Sequence, residues 1–207
     1  MNDAHASADL ITQMPFPFAR ERVWVNRMKV IAIQSSPNQD GLTSSLAQAV
    51  LKGVRAEGGE TELVYLNTLD IKPCIACDNG WGICRTEGVC IHEDDFQSVR
   101  EKMSKADAIV FATPVYFGDL SESAKVFLDR LRRVERGRGF KTFEGKKVIG
   151  IASAGGGGGG AVRALYALEN YLRRLGFDIF DLVPVTRYSK DHKFEMLENV
   201  GKRTMTG

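Results

Sequence analysis

Strand-like and helix-like segments alternate five times along this chain, and no other feature limits its fold so strongly. The strand-like segments are short apolar runs, most of them rich in Val and Ile, as expected for strands buried on both faces. They cover residues 29–34, 61–66, 108–112, 147–152 and 177–185. Residues with apolar side chains at helical spacing follow at 42–57, 96–103, 124–131, 162–175 and 191–203. The alternation predicts right-handed crossovers and a parallel sheet covered by helices on both faces.

Length and composition are those of one ordinary globular domain. A chain of 207 residues buries roughly 70% of its unfolded surface, so its core needs no disulfide or metal. The formal net charge of +2 is too small to indicate a nucleic-acid or membrane partner. Charged residues interrupt the first 27 residues, which therefore lack the apolar core of a secretory signal. We expect a cytoplasmic protein in which residues 1–27 are an N-terminal extension and residues 28–207 form the domain.

The loop after the first strand has the chemistry of a phosphate site. In a doubly wound sheet, ligands bind beyond the carboxyl ends of the strands, so the loops after strands one, three and four are candidates. Ser36, Thr43 and Ser44 place hydroxyl groups beside the N–H groups of a helix N-terminus, an anion site without a positive side chain. No Gly-Lys-Ser/Thr follows, which excludes a P-loop. The alternative is a cluster of hydroxyl residues that only caps the helix.

The other two loops have the composition expected around a flat ring. Residues 113–118 (Thr-Pro-Val-Tyr-Phe-Gly) form either a bed for a planar ligand or a buried aromatic turn. The run Gly155–Gly160 brings backbone close to a ligand because it has no side chains; alternatively, it is a flexible solvent loop. Its Gly-x-Gly-x-x-Gly match is not a dinucleotide signature, since Asp178 begins the next strand rather than ending it.

Five motifs occur in order along the chain. They are residues 35–45 (Ser-Ser-Pro-Asn-Gln-Asp-Gly-Leu-Thr-Ser-Ser), 71–77 (Ile-Lys-Pro-Cys-Ile-Ala-Cys), 88–96 (Gly-Val-Cys-Ile-His-Glu-Asp-Asp-Phe), 113–118 and the glycine run. Together they resemble the NADPH-dependent FMN reductase and iron–sulfur flavoprotein group of the flavodoxin superfamily, over residues 28–185. The resemblance implies an α/β fold: a flavodoxin-like, doubly wound three-layer sandwich with a five-stranded parallel sheet in the order 2-1-3-4-5.

The resemblance also implies that FMN binds at the three loops. The implied residues are Ser36, Pro37, Asn38, Thr43 and Ser44 at the phosphate, Pro114, Val115, Tyr116, Phe117 and Gly118 at the isoalloxazine ring, and Ala154, Gly155 and Gly156 at its pyrimidine edge. Many relatives have Arg where this chain has Asn38, so the charge that Arg supplies to the phosphate is missing here.

All four cysteines lie in one stretch with the spacing Cys-x2-Cys-x6-Cys-x5-Cys: Cys74, Cys77, Cys84 and Cys90. Four thiolates are the usual ligands of a 4Fe-4S cluster, and the intervening glycines let backbone N–H groups face the sulfurs. The iron–sulfur flavoproteins are more compact between the second and third cysteines, and many cluster-free flavin reductases keep some of these cysteines. Three interpretations stay open: a 4Fe-4S cluster, reduced or redox-active thiols, and structural zinc. A stable disulfide is disfavoured in the cytosol.

The resemblance implies an FMN-dependent oxidoreductase that takes electrons from NAD(P)H and reduces a flavin, a quinone or another small molecule. The alternative is an iron–sulfur flavoprotein that carries electrons without a substrate of its own. The flavin itself performs the redox step, so we assign no catalytic acid or base. A receiver-like signalling module would need acidic residues where this chain has Ser35–Ser36 and Thr113–Pro114.

The remaining expectations concern partners and surface. Relatives are commonly homodimers or homotetramers with the flavin near a subunit boundary, and we expect a homo-oligomer with a small-molecule or protein electron acceptor. The basic stretch from Arg130 to Lys141 is interpreted as a solvated face; alternatively, it attracts the phosphates of a pyridine nucleotide. His92 is interpreted as a lone solvent-facing histidine, with a role as ligand as the alternative.

Overall fold

A computed structural model describes residues 27–206, and the predicted N-terminal extension lies outside this part of the chain except for Arg27. Five parallel strands form one sheet in the order β2-β1-β3-β4-β5, which confirms the predicted topology. The strands are β1 (Lys29–Gln34), β2 (Glu60–Tyr65), β3 (Ala108–Pro114), β4 (Lys147–Ala154) and β5 (Asp178–Thr186). The sequence placed each of them correctly to within two residues.

Helices cover the sheet on both sides. Those of the described residues are α1 (Leu42–Ala56), α2 (Ile83–Thr86), α3 (Phe96–Lys105), α4 (Glu122–Gly137), α5 (Ala161–Arg174) and α6 (Lys190–Thr206). α2 was not predicted. α4 continues well beyond its predicted end because Leu131 and Val134 keep the helical spacing of buried residues through the arginine-rich stretch.

The strands bury apolar side chains on both faces of the sheet. Ile31 and Ile33 of β1 belong to a core formed with α3, α4 and α5. Val30 and Ala32 point to the opposite face, where α1 and α6 pack. Successive side chains of a strand alternate between faces, so a strand covered on both sides must be apolar throughout.

Two glycines bring α1 and α6 into backbone contact. A Cβ on Gly53 would lie 1.9 Å from the carbonyl oxygen of Glu198, and a Cβ on Gly201 would lie 2.1 Å from that of Val50. The helices therefore cross at a distance that only glycine permits, and α6 packs against α1 around Val50 and Gly53. Within residues 27–206, no helix is both long enough and apolar enough to span a bilayer.

Candidate functional site

The loops after β1, β3 and β4 meet at the carboxyl edge of the sheet because the strands are parallel. The backbone N–H of Val115 donates to the carbonyl of Ser153 at 2.9 Å and joins the loop after β3 to the end of β4. The hydroxyl of Ser121 donates to Oγ of Ser35 at 2.8 Å and joins the same loop to the one after β1. The three predicted loops therefore form one hydrogen-bonded surface.

The N-terminus of α1 presents backbone N–H groups at this edge. Gly41 occupies the N-cap position and has no side chain to bond them. At the start of α4, by contrast, the hydroxyl of Ser121 accepts a hydrogen bond from the N–H of Ala124 at 3.4 Å. N–H groups at a helix N-terminus bind anions, and residues 35–45 contain no Lys or Arg. The arrangement suits a phosphate monoester held by neutral groups.

Two of the predicted phosphate-binding hydroxyls are already engaged inside the protein. Thr43 Oγ1 lies 2.7 Å from Oγ of Ser153, and both side chains are buried. Ser44 Oγ, also buried, accepts a hydrogen bond from Nε2 of Gln48 at 3.1 Å and lies 3.4 Å from the Tyr65 hydroxyl. Sequence reasoning missed Ser153, whose only signal was its place at the end of β4.

The turn before α1 contains the other predicted phosphate-site residues. Ser36 Oγ accepts a hydrogen bond from the N–H of Asn38 at 3.2 Å. The Asn38 side chain in turn accepts one from the N–H of Asp40 at 3.2 Å. Pro37 and Asn38 are exposed, whereas Ser36 is buried. Side-chain hydrogen bonds of this kind fix a turn locally, so the chain enters α1 in a defined direction.

The predicted ring loop is a tight turn with an exposed aromatic tip. Tyr116 and Asp119 exchange two backbone hydrogen bonds of 3.0 Å, and Phe117 and Gly118 between them have φ of 51° and 81°. Two positive φ values in a two-residue connection are typical of a type I′ turn, and such a φ strains a bulky residue. Phe117 is fully exposed and half-buried Pro114 and Val115 lie before it. The buried-turn alternative is therefore wrong for this tip.

The glycine run combines open space with one close approach. A Cβ on Gly155 or Gly156 would meet no atom within 4 Å, so the edge beyond Ala154 is open. A Cβ on Gly160 would lie 2.6 Å from the Cα of Gly118, so the glycine run and the ring loop touch there. With the uncapped α1, this open, side-chain-free edge fits a phosphorylated planar ring.

Arg163 is a residue of this edge that sequence reasoning missed. A Cβ on Gly118 would lie 3.3 Å from its Nη1, so the guanidinium reaches the ring loop. Arg163 is exposed and lies on the first turn of α5, directly after the glycine run. Its position in a helical pattern gave no sign of this proximity.

The four cysteines line one cavity. All are free, with Cys84 buried and Cys74 exposed, and burial raises the pKa of the Cys84 thiol. The cavity has about 20 Å³ of water-accessible space, room for one water, so a larger occupant requires the loop to move outward. In the described part of the chain, no three His, Cys, Asp or Glu side chains are grouped closely enough to hold a metal ion.

The cysteine cavity lies far along α4 from the three loops. Arg130, Arg133 and Val134 line it, whereas α4 starts at the ring loop after Ser121. With a rise of 1.5 Å per residue along the helix, Arg130 lies about 14 Å and Val134 about 20 Å from Ser121. Within one chain, therefore, the cavity and the loop edge are two separate places.

Two surface predictions are wrong. Arg130 is not part of a solvated face: it is 1% exposed and forms a two-pronged ion pair with Asp94, at 2.5 and 3.0 Å. Arginine is usually a surface residue, and the sequence around Arg130 does not reveal its partner because Asp94 lies 36 residues away. His92 is half-buried, lies 3.1 Å from the carbonyl of Pro73 through Nε2, and lines the cysteine cavity.

The sequence profile of the family described as NADPH-dependent FMN reductase matches residues 28–185, which span the whole sheet but the end of β5. The chain belongs to the NADPH-dependent FMN reductase family. As a member it is an FMN-dependent oxidoreductase with a flavodoxin-like fold.

Its relatives in this family include iron–sulfur flavoproteins. One from Methanocaldococcus jannaschii is 35% identical over 139 residues, which cover 67% of this chain and 70% of that protein. One from Methanosarcina thermophila is 34% identical over 134 residues, or 64% of this chain and 66% of that protein. The solved NAD(P)H:quinone oxidoreductase from Methanothermobacter marburgensis has a TM-score of 0.64 at 20% identity, covering 86% of this chain and 96% of that one. The last likeness shows the fold alone.

Proposed function

We propose that the three loops at the carboxyl edge bind FMN and that NADH or NADPH reduces it there on behalf of a small-molecule or protein acceptor. When bound, FMN accepts a hydride from the nicotinamide and passes the electrons on. The observation that carries the proposal is the uncapped N-terminus of α1 at an edge where three loops are already hydrogen-bonded to one another.

The phosphate half of the proposal depends on backbone groups. The first N–H groups of α1, together with Ser36 and the turn at Pro37 and Asn38, surround the phosphate. Thr43 and Ser44 contribute their N–H groups, since their hydroxyls are held by Ser153 and Gln48. An unsatisfied helix N-terminus carries partial positive charge, so it holds a dianion without a cationic side chain.

The ring half of the proposal depends on close backbone approach. Residues 114–118 would lie on one side of the ring, and Ala154, Gly155 and Gly156 would face its pyrimidine edge, where the two glycines leave open space. Tyr116 and Phe117 supply apolar surface, while Arg163 places a positive charge beside Gly118. No residue acts as acid or base in this scheme, because the nicotinamide delivers a hydride.

The test is titration of the purified full chain with FMN. Bound flavin gives a structured visible spectrum and quenched fluorescence, and anaerobic addition of NADPH or NADH bleaches the spectrum. Riboflavin lacks the phosphate and should bind more weakly than FMN. The difference in binding free energy measures what the α1 N-terminus contributes. A protein that is colourless once unbound FMN has been removed by gel filtration contradicts the proposal, and equal affinity for FMN and riboflavin contradicts its phosphate half.

A second candidate function is electron transfer through a 4Fe-4S cluster in addition to FMN. The observation that favours it is that all four cysteines line one cavity walled by two guanidinium groups and by no carboxylate. Four thiolates are the usual ligands of a 4Fe-4S cluster, but loading one would require the cysteine loop to move outward and regroup its thiols. Iron and acid-labile sulfide analysis of anaerobically purified protein tests it, with Cys77→Ser as the variant that loses a ligand. Iron-free wild-type protein contradicts it and leaves the FMN proposal standing.

Assembly and compartment complete the proposal. Val162, Tyr166 and Tyr188 are large exposed apolar side chains near the glycine run, and with Phe117 they support a homodimer or homotetramer that covers this edge. The four free thiols support a reducing compartment, the cytoplasm. Light scattering of the purified protein checks the first statement, and a molecular mass of one chain contradicts it.

A further inference from the structure

A groove of about 760 Å³ runs along α5 beside the glycine run. The glycine run contributes Gly158 and Gly160 to its lining, and a Cβ on Gly160 would lie against Gly118 of the ring loop. One end of the groove therefore adjoins the edge at which we propose that the flavin ring binds. Sites for small molecules usually have volumes of about 300–1,000 Å³, so the groove is large enough for a ligand of its own.

One guanidinium lies at that end of the groove. Arg163 lines the groove, and its Nη1 lies 3.3 Å from the position that a Cβ would take on Gly118. The side chain is exposed, and none of the salt bridges among residues 27–206 includes it. No carboxylate is found among the described residues that line the groove. A guanidinium without a counter-charge is well suited to bind a phosphate group in two-pronged fashion.

The rest of the lining has the chemistry of a nucleoside site. Tyr166 follows Arg163 by three residues, so the two side chains share one face of α5. Tyr166 is 65% exposed and Val162 is 72% exposed, which leaves apolar surface open in the groove. Thr186 and Ser189, at and after the end of β5, add hydroxyl groups to the lining. An exposed aromatic ring beside a few polar groups is typical of sites that bind a base by stacking.

The order of these groups along α5 matches the order of the parts of a nicotinamide dinucleotide. The nicotinamide must reach the flavin ring to deliver its hydride, the pyrophosphate comes next, and the adenosine is at the far end. α5 begins at the contact with the ring loop, and Arg163 lies on its first turn. Tyr166 lies about 4.5 Å further along the helix axis, away from the ring loop. A pyrophosphate bound at Arg163 therefore leaves the adenine close to Tyr166.

We propose that this groove binds the adenosine diphosphate half of the hydride donor, with Arg163 on the pyrophosphate and Tyr166 against the adenine. The inference rests on the proposed function, in which NADH or NADPH reduces FMN at the adjoining edge. Arg163 and Tyr166 hold the donor and take no part in the hydride transfer. Because the pyrophosphate and the adenine are common to NADH and NADPH, both residues act on the two donors alike. The donor then lies along α5 rather than on the basic stretch of α4.

The test is isothermal titration calorimetry of the FMN-loaded full chain with ADP-ribose, which has the adenosine and the pyrophosphate but no nicotinamide. Arg163→Met should weaken the binding of ADP-ribose by roughly tenfold to 150-fold, the range for a hydrogen bond to a charged group. Arg173→Met is the matched control. It removes an exposed guanidinium that pairs with Glu169, about 15 Å further along the same helix, and should bind ADP-ribose as wild type does.

The adenine contact has a test of its own. Tyr166→Ala should weaken the binding of ADP-ribose by roughly fivefold to 150-fold, whereas Tyr166→Phe, which keeps the ring, should bind as wild type does. Light scattering of each variant gives its assembly state, since Tyr166 is also among the side chains that support an oligomer. Affinity that is lost only together with assembly overturns the contact between Tyr166 and the adenine.

The outcomes separate the groove from the FMN site. Equal affinity for ADP-ribose in wild type, Arg163→Met and Arg173→Met overturns the inference, even when FMN binds normally. In steady-state assays Arg163→Met should raise KM for NADH and for NADPH by the same factor. A rise for NADPH alone would place the guanidinium at the 2′-phosphate and overturns its assignment to the pyrophosphate. Protein that binds ADP-ribose at Arg163 but takes up no FMN supports the groove and contradicts the proposed function.

Discussion

The N-terminus of α1 and the cysteine cavity on α4 are both suited to negative charge, but they use opposite means. At α1 the charge meets backbone N–H groups, and no cation lies in residues 35–45. On α4 it meets two guanidinium groups, one of them buried and bound to Asp94. A phosphate keeps its charge throughout a reaction, so fixed dipoles suffice for it. A buried guanidinium, by contrast, requires a counter-charge, and Asp94 supplies it to Arg130.

The largest effect on stability is expected from breaking the ion pair between Arg130 and Asp94 beside the cysteine cavity. Asp94→Asn leaves Arg130 buried without a counter-charge and should lower the free energy of unfolding by about 3–5 kcal/mol. Urea denaturation followed by circular dichroism measures this. Glu144→Gln is the control, because Glu144 pairs with Lys141 on the surface, where an ion pair contributes about 0–1 kcal/mol. Equal losses of unfolding free energy in Asp94→Asn and Glu144→Gln would show that the buried ion pair matters no more to stability than the exposed one.

The same variant has an expected pH profile. Burial alone would raise the pKa of Asp94, but hydrogen bonds from Arg130 and from the N–H of Lys72 outweigh it and hold the pKa below its ordinary value. The stability that Asp94 contributes is therefore complete above about pH 4 and is lost as the pH falls through the lower, folded-state pKa. The difference between wild type and Asp94→Asn should narrow over that acidic range. A constant difference would contradict it.

The next effect concerns the contact between Gly160 and Gly118, which joins the glycine run to the ring loop. Gly160→Ala places a Cβ against Gly118 at a position with φ of 84°, so the ring loop must move. If the overpacking cost of about 1–3 kcal/mol falls on the flavin-binding conformation of the loop, FMN affinity should drop roughly fivefold to 150-fold. Gly159→Ala, one residue earlier, meets no atom within 4 Å and should bind FMN as wild type does. Fluorescence quenching gives both dissociation constants; a normal value for Gly160→Ala would refute the close contact.

A smaller effect tests the buried hydroxyl pair. Thr43→Val or Ser153→Ala leaves the other hydroxyl buried without a partner and should cost about 1–3 kcal/mol of stability. The double variant removes both polar groups and should cost less than the sum of the two. Thermal unfolding of the three variants measures this. Simple additivity would mean that the two hydroxyls do not depend on each other.

The smallest effect comes from adding a charge to the neutral side. Asn38→Arg brings a cation to the exposed turn before α1 and should tighten FMN binding by up to about 1 kcal/mol at low ionic strength. The gain in affinity should disappear in salt on the order of 0.5 M, because the Debye length is then only a few ångströms and exposed charges are screened. Riboflavin is the matched ligand, since it lacks the phosphate, and its affinity should not change. A gain for both ligands would place the effect away from the phosphate.

Sequence reasoning predicted the fold well because the sheet is buried on both faces. Runs such as residues 30–33 and 108–112 are apolar throughout, which leaves few alternatives to a central parallel strand. It missed α2, because a helix of four residues is too short to show a period. It left open whether residues 113–118 form a ligand bed or a buried turn, because the backbone of the tight turn, rather than hydrophobicity, decides the exposure of Phe117.

The candidate sites were predicted only in part, because their decisive contacts join distant residues. The spacing of the four cysteines predicts that they lie together, and the structure places them around one cavity. Nothing in the local sequence distinguishes Arg130 from its exposed neighbours. Its burial depends on Asp94 and on packing against Phe96, whose ring centroid lies 4.3 Å from Cζ of Arg130. Likewise, Ser153 and Thr43 are 110 residues apart, so their pairing follows from topology.

The glycine crossing of α1 and α6 has a consequence for how the protein matures. During synthesis, α6 leaves the ribosome only after every strand of the sheet has been made. Until then, α1 lacks the neighbour that fills the notch at Gly53 and holds it in place. We therefore expect nascent chains stalled before residue 190 to hold α1 loosely, so that the domain reaches its full stability only after translation ends.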